Sequence, residues 1–145
     1  PLATAPAPIT QGATVTRASI KNSKDNKLDC CPCIPTFRVR LLAVDTPERG
    51  KCYYTEATEA TRAMVGGQRV GLERDISESD GFGRLLRHVY TEGGTWVNSA
   101  LVAQGYAHVM IVGHDTHYAG ALYAMQDAAR ANGRGGWAAC GWPLP

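Results

Sequence analysis

The sequence predicts a mixed α+β domain, mainly β, with five strands and three helices. Three observations predict it. Short runs of period-two apolar alternation end on Gly or Pro turns. Two longer segments carry apolar residues at helical spacing and end on glycine. Between the first strands and the first helix, one alternating run stops at a pair of carboxylates, Asp45 and Glu48.

Thr14 to Ile20 alternates and reads as a first strand, followed by a polar loop from Lys21 to Pro35 that bears Cys and Pro. Phe37, Val39, Leu41 and Ala43 then share one face of a second strand, with Arg40, Leu42 and Val44 on the other, so Arg40 is a charge among apolar neighbours. Such a charge needs a partner or a ligand. Pro47 ends the strand and leaves Asp45 and Glu48 around a turn, able to aim at one point. Tyr53, Ala57, Ala60 and Met64 fall on one helical stripe before Gly66-Gly67, which predicts a helix from Tyr54 to Val65. Arg69–Arg74 and Leu85–Tyr90 read as strands, and Gly93-Gly94 as a hairpin turn into a fifth strand at Thr95-Trp96-Val97. Asn98 is placed to cap a short helix ended by Gly105. Thr116 is placed to cap a last helix whose stripe is Tyr118, Leu122, Met125 and Ala129, ending at Gly133.

A second stretch, Asp80-Gly81-Phe82-Gly83-Arg84, delivers Arg84 through a Gly-containing turn to the start of a strand, so two arginines and two carboxylates can converge. With Val39–Glu48 and Val97–Ala107 it makes three ordered motifs, and on these the segment from Thr36 to Trp137 resembles the staphylococcal (thermonuclease-like) nuclease family. The resemblance implies a five-stranded OB-fold barrel with three helices and a Ca²⁺-dependent phosphodiesterase, with Mg²⁺ as the alternative cation. It implies that Arg40 and Arg84 hold the phosphate, that Asp45 and the Thr46 carbonyl bind metal, and that Glu48 acts on water. The family's first strand ends in an Asp-Gly-Asp-Thr turn with a metal-binding aspartate. Here the aligned residues are Ile20-Lys21-Asn22-Ser23, so Asn22 is a weakened ligand. The family also stacks a nucleotide on tyrosines and contacts its terminal phosphate with a lysine. The matching places hold Gly81, Phe82 and Ile111, of which Phe82 can still stack, worth about 1–3 kcal/mol per base.

The chemistry of the residues agrees with that reading. Arginine's planar fork holds two phosphate oxygens and stays charged at any working pH. A positioned carboxylate such as Glu48 contributes roughly 10²–10⁴ in rate as a general base. Asp45 is a hard oxygen donor suited to Ca²⁺ or Mg²⁺. Arg49 and Arg87 read as solvated, and so do the His and Asp residues of His114-Asp115-Thr116-His117, a cluster whose metal-binding reading ranks low.

At 145 residues the chain is one domain, divided on the sequence into a Pro/Ala-rich lead (1–12), the nuclease-like domain (13–139) and a tail (140–145). A formal charge of +2 is too small to argue for nucleic acid by itself, so phosphate affinity must come from locally placed Arg and Lys. No run approaches the ~20 apolar residues that cross a bilayer. Five cysteines, three of them in Cys30-Cys31-Pro32-Cys33, favour disulfides in a secreted or extracytoplasmic protein over a thiolate zinc site. The expected pairing joins the Lys21–Pro35 loop cysteines to Cys52 and Cys140. The partner expected from the resemblance is DNA or RNA, with single strands preferred, and the protein is expected to be a monomer. The alternative from another class is an OB-fold nucleic-acid or protein binding module whose hydrolytic function has weakened. Keeping Asp45 and Glu48 beside both arginines favours the enzyme.

Overall fold

The computed structural model describes residues 36–143. The expected strand at Thr14–Ile20, Asn22, Cys30, Cys31 and Cys33 lie outside them. In chain order the elements are β1 (Val39–Leu41), β2 (Val44–Asp45), α1 (Tyr54–Val65), β3 (Val70–Glu73), β4 (Leu85–Thr91), α2 (Val97–Ala103), β5 (His108–Val109), α3 (Ala119–Ala131) and α4 (Gly136–Ala139). The α+β class holds. Among the described residues, however, the strands form a three-stranded sheet, β1-β4-β3, and a two-stranded sheet, β2-β5, which do not close into a barrel.

The reason lies at Leu42 and Ala43. Alternation from Phe37 to Val44 predicts one strand, but Ala43 takes a left-handed backbone (φ 61°) and splits it in two. Before the break, β1 runs parallel to β4 with Arg40 opposite Leu86. After it, β2 runs antiparallel to β5 with Val44 opposite Val109 and Asp45 opposite His108. The Leu42 amide still donates to Arg87 O (2.9 Å), while Ala43 O accepts from the Met110 amide (3.0 Å). A left-handed alanine costs roughly 1–2 kcal/mol. Burial of Leu42, Ala43 and Val44 and the hydrogen bonds on both sides offset that cost.

On the other side of β4, β3 pairs antiparallel from Val70–Thr91 to Glu73–His88. The expected fifth strand is reduced to a single bridge between Tyr90 and Trp96, because Val97 already starts α2. α2 packs against α1, α3 and β4, and its Val97, Leu101 and Val102 are fully buried with Val65, Val70, Val89, Ala107 and Leu122. Neither expected cap forms. Trp96 and Tyr118 occupy the positions before α2 and α3, without side-chain cap hydrogen bonds. The α3 stripe is as expected: Leu122 and Ala129 are buried, and Tyr118 and Met125 pack against the core.

Two glycines allow α2 and α4 to meet. The Gly136 amide donates to Gly105 O (2.9 Å), and a Cβ on Gly105 (φ 77°) would lie 2.1 Å from Arg134 O. α4 itself is not legible in the sequence. It delivers Cys140 to Cys52 in a disulfide, with a Cα–Cα distance of 5.9 Å across 88 residues of chain. This corrects the expected pairing of both residues with the earlier cysteines: two residues that line one cleft meet each other.

Candidate active site

The site is built where the chain changes sheets. Arg40 is the last residue but one of β1 and Asp45 ends β2, so the turn at Leu42-Ala43 folds the two side chains toward each other. Arg40 Nη2 lies 3.6 Å from Asp45 Oδ1. That supplies the partner Arg40 needs. With Asp45 half-exposed, the pair adds little stability, since exposed ion pairs contribute about 0–1 kcal/mol. Its value is positional.

The turn is held by Asn98, a residue that sequence reading placed as a helix cap. Asn98 is wholly buried. Its Oδ1 accepts from the Val89 amide (2.9 Å), and its Nδ2 donates to Leu42 O (2.8 Å) and more weakly to Arg87 O (3.5 Å). One side chain thus ties α2 to β4 and to the sheet switch. A polar residue at the inward face of an apolar helix, in the run Val97-Asn98-Ser99-Ala100-Leu101, was the available signal.

Asp45, Thr46, Pro47 and Glu48 line one open cleft of about 410 Å³, with Lys51, Cys52, His108, Cys140 and Trp142 completing it. Asp45 and Glu48 are therefore brought to one space, as expected. Lys51 N donates to Glu48 O (2.9 Å), which closes the turn into α1. His108, opposite Asp45 in the register, stacks on Trp137 with ring centroids 4.9 Å apart. Burial pushes its imidazole below the usual histidine range, and the Asp45 carboxylate opposes that shift.

Arg84 is presented by a different device. Asp80 Oδ1 accepts the amides of Phe82 (2.9 Å) and Arg84 (3.0 Å), while Oδ2 takes Arg84 Nε at 2.6 Å. Burial would raise the Asp80 carboxyl, but the Arg84 amide and guanidinium and the Phe82 amide together hold it below the usual range. Phe82 is three-quarters exposed, and the Arg84 guanidinium carbon stands 5.5 Å from its ring centroid. Arg84 therefore has an acidic partner other than Asp45 and Glu48. Among the described residues its two Nη atoms have no acceptor. The parallel register sets Arg40 beside Leu86, two residues beyond Arg84.

Two expected solvated groups are not solvated. The Arg87 side chain is 12% exposed, pairs with Glu78 and donates to the carbonyls of Glu78 and Leu86, because the loop before β4 brings Glu78 back against it. Asp115 is buried, and its Oδ1 accepts the amides of Ile76 (2.9 Å) and Ser77 (2.8 Å). It anchors the loop after β3 to the start of α3. Burial acts to raise its carboxyl, and the Ser77 and Ile76 hydrogen bonds win, leaving it below the usual range.

Strands that switch partners around an Arg–Asp pair, an Asp-Gly-Phe-Gly-Arg turn and a buried helix that ties the switch to β4 characterise this α+β domain. A family model described as staphylococcal nuclease homologue matches residues 38–139, and the chain belongs to that family. It is 31% identical over 100 residues to a protein described as an uncharacterized endonuclease of Escherichia coli O157:H7, covering 69% of this chain and 62% of the relative. It is 36% identical over 75 residues to a thermonuclease of Staphylococcus hyicus (48% and 44% covered). To endonuclease YncB of Bacillus subtilis it is 37% identical over 81 residues (51% and 38% covered). The chain thus spans less than two thirds of the length of each.

Proposed function

We propose that this chain is a divalent-cation-dependent nuclease that hydrolyses phosphodiester bonds of DNA or RNA. The observation that carries the reading is the Arg40–Asp45 pair at 3.6 Å, at the sheet switch, beside a cleft that Asp45 shares with Glu48. Membership of the staphylococcal nuclease family and the likeness to a thermonuclease and an endonuclease support it. Arg40 and Arg84 clamp the non-bridging phosphate oxygens and neutralise the charge that builds during attack. Asp80 holds the Nε side of Arg84, which leaves its two Nη atoms, without an acceptor among the described residues, for the phosphate. Glu48 accepts the proton of the attacking water.

Asp45 and the Thr46 carbonyl are hard oxygen donors, which fits Ca²⁺ or Mg²⁺ and not a soft metal. Among the described residues no cluster of three or more His, Cys, Asp or Glu side chains gathers, so these two donors form only part of a shell. The Asn22 position lies beyond them. A bound Ca²⁺ would polarise the phosphate and lower the pKa of a coordinated water.

We place the enzyme as a secreted monomer that prefers single strands, with 13–139 as its nuclease domain; no helix among the described residues is long and apolar enough to cross a membrane. The test is hydrolysis of single-stranded DNA with Ca²⁺, with Mg²⁺ and with EDTA. Activity should require the cation. Glu48→Gln should lower the single-turnover rate by roughly two decades with an unchanged melting temperature. A folded Glu48→Gln enzyme that cuts at the wild-type rate would overturn the role of Glu48, and wild-type protein that binds the strand without cutting it in either cation would favour a binding module.

A further inference from the structure

We propose that the segment after α4 supplies a nucleotide-binding subsite in this cleft, with Trp142 as a stacking wall for a base and Lys51 as the contact for the adjoining phosphate. The ligand is the nucleotide next to the scissile linkage in a single strand. The proposal rests on the nuclease reading above, but its residues are not those of the hydrolytic machinery, and Trp142 lies beyond the segment that matches the family.

The cleft's lining is of two kinds: Asp45 to Glu48 bring the carboxylates, and Lys51-Cys52 with Cys140 and Trp142 bring a cation and an aromatic ring. The Cys52–Cys140 disulfide ties the second group together, so the residue before one cysteine and the residue two after the other share one space. Trp142 is held in place from several directions. Its indole occupies the room a side chain at position 136 would need, since a Cβ on Gly136 would sit 2.2 Å from Trp142 Cζ2. It meets Tyr53, Trp137 and His108 edge to face, at centroid distances of 6.2, 5.4 and 4.1 Å. It is nevertheless only half-buried at the cleft. A large aromatic ring already immobilised loses little entropy when a base packs on it.

Lys51 is the complementary half. It is exposed at the same cleft and, although it stands three residues from Glu48, it forms no ion pair among the described residues. An unpaired ammonium beside a fixed aromatic ring matches the repeating unit of a nucleic acid, one phosphate per base. Stacking on a protein ring requires a base already out of a duplex, so the subsite selects single strands with little sequence preference. The cleft volume of about 410 Å³ falls in the range of small-ligand sites.

The test is fluorescence anisotropy of a short labelled oligothymidylate in EDTA, titrated against salt. Trp142→Ala should weaken binding roughly tenfold and Trp142→Phe should retain most of the affinity. Lys51→Ala should lower the steepness of log K against log salt by about 0.7, the share of one phosphate contact on a single strand. Unchanged affinity in a folded Trp142→Ala protein overturns the proposal, and so does an unchanged salt slope in Lys51→Ala. If Trp142→Ala fails to fold, the exposed Lys51 variant decides alone. Wild-type protein that neither binds nor cuts the strand with Ca²⁺ would end the nuclease reading as well. Cutting by the wild type with undiminished binding by both variants would end only the subsite.

Discussion

At the scale of single residues, two buried polar side chains carry more than their neighbours. Asn98 satisfies the Val89 amide and the Leu42 carbonyl together, and an apolar replacement leaves both unpaired inside the protein. Each buried orphan costs about 1–3 kcal/mol, so Asn98→Leu should lower the unfolding free energy by about 2–5 kcal/mol, measured by urea denaturation. A loss within the noise would mean that water reaches the turn. His88 is the opposite case: it is 1% exposed, and neither ring nitrogen has a partner among the described residues. Its ring meets Trp96 at 5.4 Å and Tyr118 at 4.9 Å. Burial lowers its pKa from the ordinary 6.5 and the nearby His117 adds to that, against the pull of Glu73, Asp75 and Asp115. The folded state therefore resists protonation while the unfolded chain accepts it. The stability His88 contributes is complete above pH 6.5 and declines as the pH falls below it. His88→Phe should flatten the stability profile just below that pH, and an unaltered slope would place the acid sensitivity elsewhere.

At the scale of elements, the α2–α4 approach gives a sharp test. A methyl group on Gly105 would meet backbone, which cannot swing aside, and would impose a left-handed conformation on alanine. Gly105→Ala should cost about 2–4 kcal/mol in thermal or chemical unfolding. A near-neutral result would show that α4 lifts away freely. Gly105 was read from the sequence only as a helix stop, because chain punctuation shows where an element ends and not what comes to lie against it. The same limit explains the other departures. α1 was legible to its bounds because the stripe and the Gly66-Gly67 stop are local signals. The split between β1 and β2 was not, since alternation persists through Ala43 while the backbone turns there. Asp45 and Glu48 were legible as neighbours through the Pro47 turn. Asp80, which steers Arg84, and Trp142, which borders the cleft, depend on contacts made across the fold. Asp115 read as a solvated charge because nothing nearby in sequence reveals the Ile76 and Ser77 amides that need an acceptor.

At the scale of the whole molecule, the disulfide does most to tie the domain together. Its closure spans 88 residues, enclosing α1 through α4, and in the chain-entropy picture a loop of that size is worth about 4–5 kcal/mol. For a domain of this size, reduction or the paired Cys52→Ser, Cys140→Ser change should lower the melting temperature by about 10–20 °C in calorimetry. A drop of only a few degrees would mean that packing alone holds the enclosed elements. The bond also governs how the molecule answers a pull. Tension applied outside the bridge runs along β1 and β2 to Cys52, crosses the sulfurs to Cys140 and leaves, so β4 and β5 are loaded only through their pairing with β1 and β2 and the rest of the enclosed chain is bypassed. The oxidised protein is a short tether carrying a slack, folded loop. Cutting that one bond in a stretched molecule would release about 300 Å of hidden chain at roughly 3.3–3.6 Å per residue.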